Sequence, residues 1–300
     1  MSTRNAKLLL AAVFAARGTS FLFSKTLLRD LSPMSILAVR FTLSFLILAF
    51  IFIRKLQHIS KADLKGGVIL GILYTAGMIM EMYGLRTVDT GVSALIENMA
   101  IVLVPVYAAI LTRIPPEKKT MLCAGLAVIG VGFLSVTQWE TPGSGTGLLL
   151  IILTAMNYAV CIMATEKVSR NADPLNIGII QLGIMGFASL MISLLLEDFA
   201  LPRTGLQWTM MLLLVLLCSC FGFTFQPVGQ KYLPAETAAV FTVINPLTAS
   251  IMGITIAGET FSPAKIIGYI LILGALFLYN LQEKPAAERP EIKASRKGKI

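Results

Sequence analysis

Histidine occurs once, tryptophan twice and cysteine four times in 300 residues, and only 14% of the residues carry charge. Each shortage excludes a class of chemistry. A lone His58 builds neither a His-rich metal site nor a Ser-His-Asp triad. Cys123, Cys161, Cys218 and Cys220 all lie in apolar runs. They are expected to be packing residues rather than a disulfide framework. Cys218 and Cys220 would point about 200° apart on a helix, a poor chelate. No GxxxxGK[ST] phosphate loop is present, so ATP does not energise this chain, and no cofactor or metal is expected. A soluble protein carries roughly 25% charged residues. A surface this poor in charge has to face lipid.

What the chain does have is apolar residues, 56% of the total, gathered in long runs. A membrane span takes roughly 20 of them. The runs 8–28, 34–54, 66–84, 88–112, 119–137, 146–165, 174–196, 207–230, 235–256 and 263–281 predict ten helices, with Glu97 and Asn98 interrupting the fourth. The expected class is an all-α integral membrane protein. Arg4 and Lys7 ahead of the first run also suit a cleavable signal peptide. That run continues through Phe21 and Leu22 to Leu28, too far for a signal alone, so a span is expected.

The net charge of +9 then needs no nucleic-acid partner. With ten spans, eighteen Lys and Arg fall on the side of the N-terminus, in the tails and the segments 54–65, 113–119 and 166–173 and around Lys231. Only Arg29, Arg86, Arg203 and Lys265 fall on the other side. The positive-inside rule places both termini in the cytoplasm; the expected location is the plasma membrane, the inner membrane if the source is a bacterium. The basic tail 284–300 is expected to be solvated, with anionic lipid headgroups as its candidate partner.

The chain also resembles itself. Leu31-Ser32-Pro33-Met34 and Ala172-Asp173-Pro174-Leu175 stand 141 residues apart, as do Arg40 and Gln181, and Pro105 and Pro246. Tyr83-Gly84-Leu85-Arg86 matches Val228-Gly229-Gln230-Lys231 at an offset of 145. These offsets divide the chain into 1–141 and 142–283, five spans each. Five is odd, so the second copy enters the membrane from the opposite side. Ten transmembrane helices in two inverted five-helix repeats are expected, an architecture of secondary transporters.

Several short motifs in fixed order carry a family resemblance over about 8–283. They are Gly18-Thr19-Ser20-Phe21 with Lys25, Ser32-Pro33 with Val39-Arg40-Phe41, Tyr83-Gly84-Leu85-Arg86, and Ile101-Val102-Leu103-Val104-Pro105. The second half adds Asp173-Pro174-Leu175, Gln230-Lys231-Tyr232, Asn245-Pro246 and Gly258-Glu259. The chain resembles the EamA-type transporters of the drug/metabolite transporter superfamily. The resemblance implies ten helices in two repeats, export of amino acids or related metabolites, and substrate held between spans 1, 3, 4, 6, 8 and 9. Three departures stand out: Arg17 where relatives usually carry Trp, Glu81 where Gln is common, and Glu97 where a small polar residue is usual.

Ionisable groups inside a span cost about 2.5–3.5 kcal/mol at mid-depth and normally face protein or a wet cavity. Glu97 and Arg17 lie near mid-depth, whereas Glu81 and Arg40 lie nearer the outer ends. Helical spacing joins Arg17 to Ser20 and Ser24, Tyr74 to Met78 and Glu81, and Tyr158 to Cys161, with Asn157 beside them. Phe221, Phe225 and Gln226 form a further stripe, and Phe241 with Asn245 another. The candidate substrate site is therefore Glu97, Arg17, Glu81, Tyr74, Asn157, Tyr158, Gln226, Phe241 and Asn245. Ordinary helix packing is the better explanation of any one aromatic stripe taken alone, and a scaffold or membrane-embedded enzyme is a competing reading. Two glutamates suit a zwitterionic or cationic amine as small-molecule substrate. A buried carboxyl at Glu97 also suits a coupled proton. Glu97 is expected either to pair with Arg17 or to stand open to substrate.

Overall fold

A computed structural model describes all residues except 114–117, 137–142, 234–237, 239–240, 243, 257, 259–261 and 281–300. The basic tail, the expected junction at 141–142 and Glu259 lie outside the described residues. In chain order the helices are α1 (Thr3–Leu27), α2 (Pro33–Ile51), α3 (Lys61–Leu85), α4 (Thr90–Thr112), α5 (Lys118–Val136), α6 (Ser144–Arg170), α7 (Pro174–Leu196), α8 (Gly205–Gln230), α9 (Ile244–Thr255) and α10 (Pro263–Asn280). A single helical turn, Ile53–Leu56, follows α2. No strand occurs among the described residues.

Seven of these helices, all but α5, α9 and α10, are long and apolar enough to cross a membrane. They fall on the expected runs, although α1 starts at Thr3 rather than near residue 8. Phe50, Leu195 and Leu196 are each about 80% exposed, as lipid-facing side chains should be. The protein is thus a multi-pass membrane protein.

Local chemistry sets the helix ends. Ser32 and Asp173 precede Pro33 and Pro174, whose fixed φ suits the first helical turn of α2 and α7. Capping boxes open α3, where Ser60 and Asp63 bond each other's backbone N–H, and α8, where Thr204 and Gln207 do the same. Asp63 also ties α3 to α7, accepting from the Asp173 N–H at 2.7 Å and Asn176 Nδ2 at 3.0 Å. Lys55 meets Asp173 at 2.9 Å at this same end. Burial alone would push the Asp173 carboxyl up, but Lys55 and the backbone amides of Asn176 and Leu175 hold it below its ordinary range.

The tightest helix pairs are α2 with α7, α5 with α10, α3 with α6 and α3 with α7. Lipid is as apolar as a leucine side chain, so helices in a bilayer associate by close packing, and small residues permit it. A Cβ on Gly186 would stand 2.8 Å from the Thr42 backbone N, and one on Gly183 would stand 2.9 Å from the Phe45 ring. A Cβ on Gly130 would meet Ile272 at 2.6 Å, and one on Gly268 would meet Leu134 at 2.7 Å. In both pairs the partner number falls as the residue number rises, so α2 and α7 run antiparallel, as do α5 and α10. A Cβ on Gly84 would meet Ile151 of α6 at 2.7 Å, and one on Gly229 would meet Leu10 of α1 at 2.6 Å.

These contacts predict a contrast between two glycines. Gly186→Leu forces a side chain into backbone atoms of α2 that cannot move aside, and a cost of about 1–3 kcal/mol is expected. Gly125→Leu meets nothing within 4 Å and is expected to be neutral. The yield of monodisperse protein and its thermal unfolding in detergent check both.

Candidate functional site

Three of the helices that surround the bundle centre are irregular. α1 breaks at Thr19, whose N–H and hydroxyl both reach back to the Ala16 carbonyl, at 3.3 and 2.7 Å. α4, expected as one run over 88–112, is two helices, Thr90–Glu97 and Ala100–Thr112. Asn98 sits in its break and donates from Nδ2 to the Ala94 carbonyl at 2.9 Å. α8 passes through a π-helical segment, Leu214–Phe223, before Pro227. Such segments are rare and recur at functional sites.

The breaks surround a cavity of about 350 Å³, counting the space that opens to its surroundings, lined by Phe14 and Arg17 of α1, Tyr74 of α3, Glu97, Asn98 and Ala100 of α4, Tyr158 and Ile162 of α6, Gln226 of α8, and Thr242 and Asn245 at α9. These are the six helices that the family resemblance places around substrate. A second cavity of about 230 Å³ shares Arg17, Glu97 and Asn245 with the first and adds Arg40, Glu81 and Phe223. Seven of the nine candidate residues therefore converge here, from both halves of the chain.

The other two do not. Asn157 lies against α3, where its Oδ1 accepts from Cys161 Sγ at 3.2 Å and would stand 2.7 Å from a Cβ on Gly77. One helical residue turns a side chain by about 100°, enough to move Asn157 out of a cavity that Tyr158 enters. Phe241 packs instead with Leu10, Phe14 and Ala6. The stripe of Phe221, Phe225 and Gln226 also divides. The two rings lie 5.6 Å apart, both half-buried and outside the cavities, while Gln226 points inward. Phe14, Asn98, Ile162 and Thr242 were not among the candidates. Each is adjacent to one that was, or three or four residues from it, so extending the same faces finds them. Phe223 was hidden by the π segment, which shifts the helical register.

Arg17 is the centre of the arrangement. Its Nη1 donates to Gln226 Oε1, and Gln226 Nε2 donates onward to the Tyr74 hydroxyl at 2.9 Å. Its guanidinium carbon lies 4.2 Å from the Phe223 ring centroid and 5.9 Å from those of Phe14, Tyr74 and Tyr158. Four rings around one cation form a cation–π cage. Gly222 makes room for it, since a Cβ there would stand 2.7 Å from Arg17 Cγ. Gly18 brings α1 onto α9, where a Cβ would stand 2.6 Å from the Asn245 carbonyl oxygen.

The other charges are held separately. Glu81 Oε2 accepts from the Tyr158 hydroxyl, with Met78 Sδ 3.0 Å from the same oxygen of Tyr158. Arg40 is 1% exposed, donates from Nε to Ser219 Oγ at 2.7 Å and lies 4.9 Å from the Phe41 ring centroid. Glu97, 6% exposed, forms no ion pair with Arg17, and its Oε1 is buried without a hydrogen-bond partner. Of the two arrangements open from sequence, the pair with Arg17 is not formed.

The Tyr158–Glu81 bond has a measurable consequence. Tyr158→Phe strips a buried carboxylate oxygen of its donor, and a cost of about 1–3 kcal/mol is expected. Tyr232→Phe, at a residue 43% exposed, is expected to be neutral. Unfolding of the two variants in one detergent makes the comparison.

Comparison with known proteins identifies the family. The sequence profile described as the EamA-like transporter family matches residues 5–136 and again 145–281. The uncharacterized transporter YetK of Bacillus subtilis is 25% identical over 93% of this chain and 89% of its own length. An uncharacterized transporter of Archaeoglobus fulgidus is 25% identical over 91% of this chain and 85% of its own. The biotin transporter of Salmonella typhimurium is 25% identical over 75% of each. One crystal structure shares the fold with a TM-score of 0.69 over 93% of this chain and 98% of its own, at 15% identity. The chain belongs to the EamA-like transporter family of the drug/metabolite transporter superfamily, and is a transporter, not an enzyme.

Proposed function

We propose that this protein is a secondary transporter that exports a small polar metabolite, an amino acid or other zwitterionic or cationic amine, by alternating access. The observation that carries this reading is Glu97, a buried carboxylate without a partner, at a helix break, in a cavity lined from both halves of the chain. An ammonium group and a proton competing for that carboxylate would exchange one for one, the arithmetic of a proton-coupled exporter. The residues proposed to meet substrate are Glu97, Arg17, Glu81, Tyr74, Tyr158, Gln226 and Asn245.

The transport cycle we envisage needs ten crossings in two inverted repeats, residues 1–141 and 142–283, with α5, α9 and α10 completing the set. Two matches to one family profile favour the duplication. So do the glycine contacts. The offset of 141 carries Thr42–Gly186 onto Gly183–Phe45, and an offset of 138 carries Gly130–Ile272 onto Gly268–Leu134. Leu10–Gly229 likewise exchanges with Ile151–Gly84 at the offsets 141 and 145. Helices related by a twofold axis along the membrane normal run parallel, and those related by an axis in the membrane plane run antiparallel. The antiparallel pairs α2–α7 and α5–α10 favour the second.

A second reading follows from the biotin transporters among the relatives. Biotin carries ureido N–H donors that suit the Asn oxygens and a carboxylate that suits Arg17. Uncoupled facilitation or import of the same substrates differs only in energetics and direction.

Flux of labelled amino acids, polyamines, quaternary amines and biotin in proteoliposomes tests these together. Flux of an amine-bearing metabolite is expected, and Glu97→Gln is expected to lower it roughly tenfold or more, the cost of losing one charged hydrogen bond. Glu166→Gln, at the end of α6 beside Arg170, is expected to leave it unchanged. Wild-type flux in Glu97→Gln with normal folded yield would sink the choice of site. For orientation, both termini and the loop before α3 are proposed to be cytoplasmic. A cysteine at Ser60 should therefore resist an impermeant thiol reagent added outside intact cells and react in inverted vesicles.

A further inference from the structure

Three buried oxygens without a hydrogen-bond donor belong to residues that line one cavity: Glu97 Oε1, Asn98 Oδ1 and Asn245 Oδ1. Glu97 and Asn98 are 6% and 3% exposed, so water does not freely satisfy them. The Asn98 amide is fixed in this sense because its Nδ2 is committed to the Ala94 carbonyl. Buried acceptors left unmade are costly, and a ligand that brings donors removes the cost. The three residues flank the break in α4 and the start of α9, helices contributed by the two halves of the chain.

Three acceptors, one of them charged, match the three N–H donors of a primary ammonium. A bare metal cation fits less well. A hard cation takes about six or more oxygens, whereas the remaining wall is Phe14, Ala100, Ile162 and the tyrosines, surfaces for an organic body, with Arg17, Gln226 and Thr242, of which Arg17 is itself a cation and Gln226 Oε1 already accepts from it. A quaternary ammonium also fits less well, for a different reason. Such groups are recognised by ring faces, and here Phe14, Tyr74, Tyr158 and Phe223 are already occupied by the Arg17 guanidinium. Arg17 therefore acts as a built-in occupant of the aromatic cage, leaving hydrogen bonding as the means of recognition.

We infer that Glu97, Asn98 and Asn245 form a subsite for a primary ammonium group, and that Arg17 excludes quaternary ammonium from the neighbouring cage. This rests on the transporter reading of the same cavity. It adds the headgroup selected and the residue that enforces the selection.

The test uses the purified full chain in detergent and a matched series of probes: butylammonium, butyltrimethylammonium and butyrate, with sodium chloride against choline chloride as a salt control. Thermal stabilisation is read against concentration. Butylammonium is expected to stabilise the wild type at roughly tenfold or more lower concentration than butyltrimethylammonium, the equivalent of one lost charged hydrogen bond. Butyrate is expected to have no effect. Asn98→Ala and Asn245→Ala should each raise the butylammonium concentration required, with the melting temperature of the unliganded variant reporting its fold. Arg17→Ala opens the cage and should shift the preference toward butyltrimethylammonium. Equal stabilisation of the wild type by the two amines overturns the subsite, as does butyrate alone acting, and neither result depends on a variant folding. Stabilisation by sodium over choline without amine would make it a sodium site and also overturn the proposal. Loss of the selectivity with amine flux intact rejects the subsite alone. Absence of flux of any metabolite rejects the transporter reading beneath it.

Discussion

A guanidinium placed in the middle of a lipid-facing bundle has to be neutralised by protein, and the centre of this molecule is organised around that requirement. Arg17 reaches Gln226 of α8, which reaches Tyr74 of α3, and the guanidinium lies among rings from α1, α3, α6 and α8. Two arginines and two glutamates line the joined cavities, so their formal charges cancel. Charge balance alone does not decide the geometry. Tyr158 holds Glu81 and Ser219 holds Arg40, which keeps each charge on its own helix pair and prevents collapse into one central cluster. Gly222 and Gly18 are consequences of the same demand, since larger side chains would displace Arg17 or separate α1 from α9.

Regular and irregular helices divide the labour. α2 and α7, and α5 and α10, pack through glycines against backbone and aliphatic carbon, with no break among their described residues. The breaks belong to α1 and α4 and the π segment to α8, all at the cavity. Both ends of the bundle carry ties between the halves. At one end Asp63 holds Asn176 and Lys55 holds Asp173; at the other Glu197 holds Tyr83 and Asp89 holds Lys265. Of these, Lys55–Asp173 is an exposed ion pair, and such pairs contribute about 0–1 kcal/mol. A tie of that size can be exchanged for another, which suits the alternating access proposed above.

Much of this was legible in the sequence because lipid imposes a simple rule. Apolar runs become helices, and a charge inside one faces protein, so Arg17, Glu81 and Glu97 pointed to the interior without any structure. The positions of Tyr74, Tyr158, Gln226 and Asn245 followed from helical spacing. What failed was finer than one residue. Asn157 and Phe241 sit beside cavity residues but turn onto α3 and onto the Phe14 cluster, and composition does not distinguish such neighbours. The π segment shifted the register of α8 and concealed Phe223, the ring nearest Arg17. The partner of Glu97 was also undecided from sequence. Depth brings Arg17 close enough to pair, but Gln226 takes the guanidinium instead.

A site with unmatched acceptors is therefore less stable than one filled with well-matched apolar residues. Each buried acceptor without a donor costs about 1–3 kcal/mol, comparable with the overpacking penalty that the glycine-lined pairs avoid. A protein tolerates such sites where tight packing elsewhere offsets them. Here the offset has a recognisable location, in the antiparallel pairs α2–α7 and α5–α10, which leave the six cavity helices to carry the unmatched groups. The spatial separation has a mechanical consequence. A ligand that satisfies the unmatched groups would act on α4 at its break and on the start of α9, and not on the close-packed pairs. Stabilisation gained on binding would thus be delivered at the break in α4 and the start of α9.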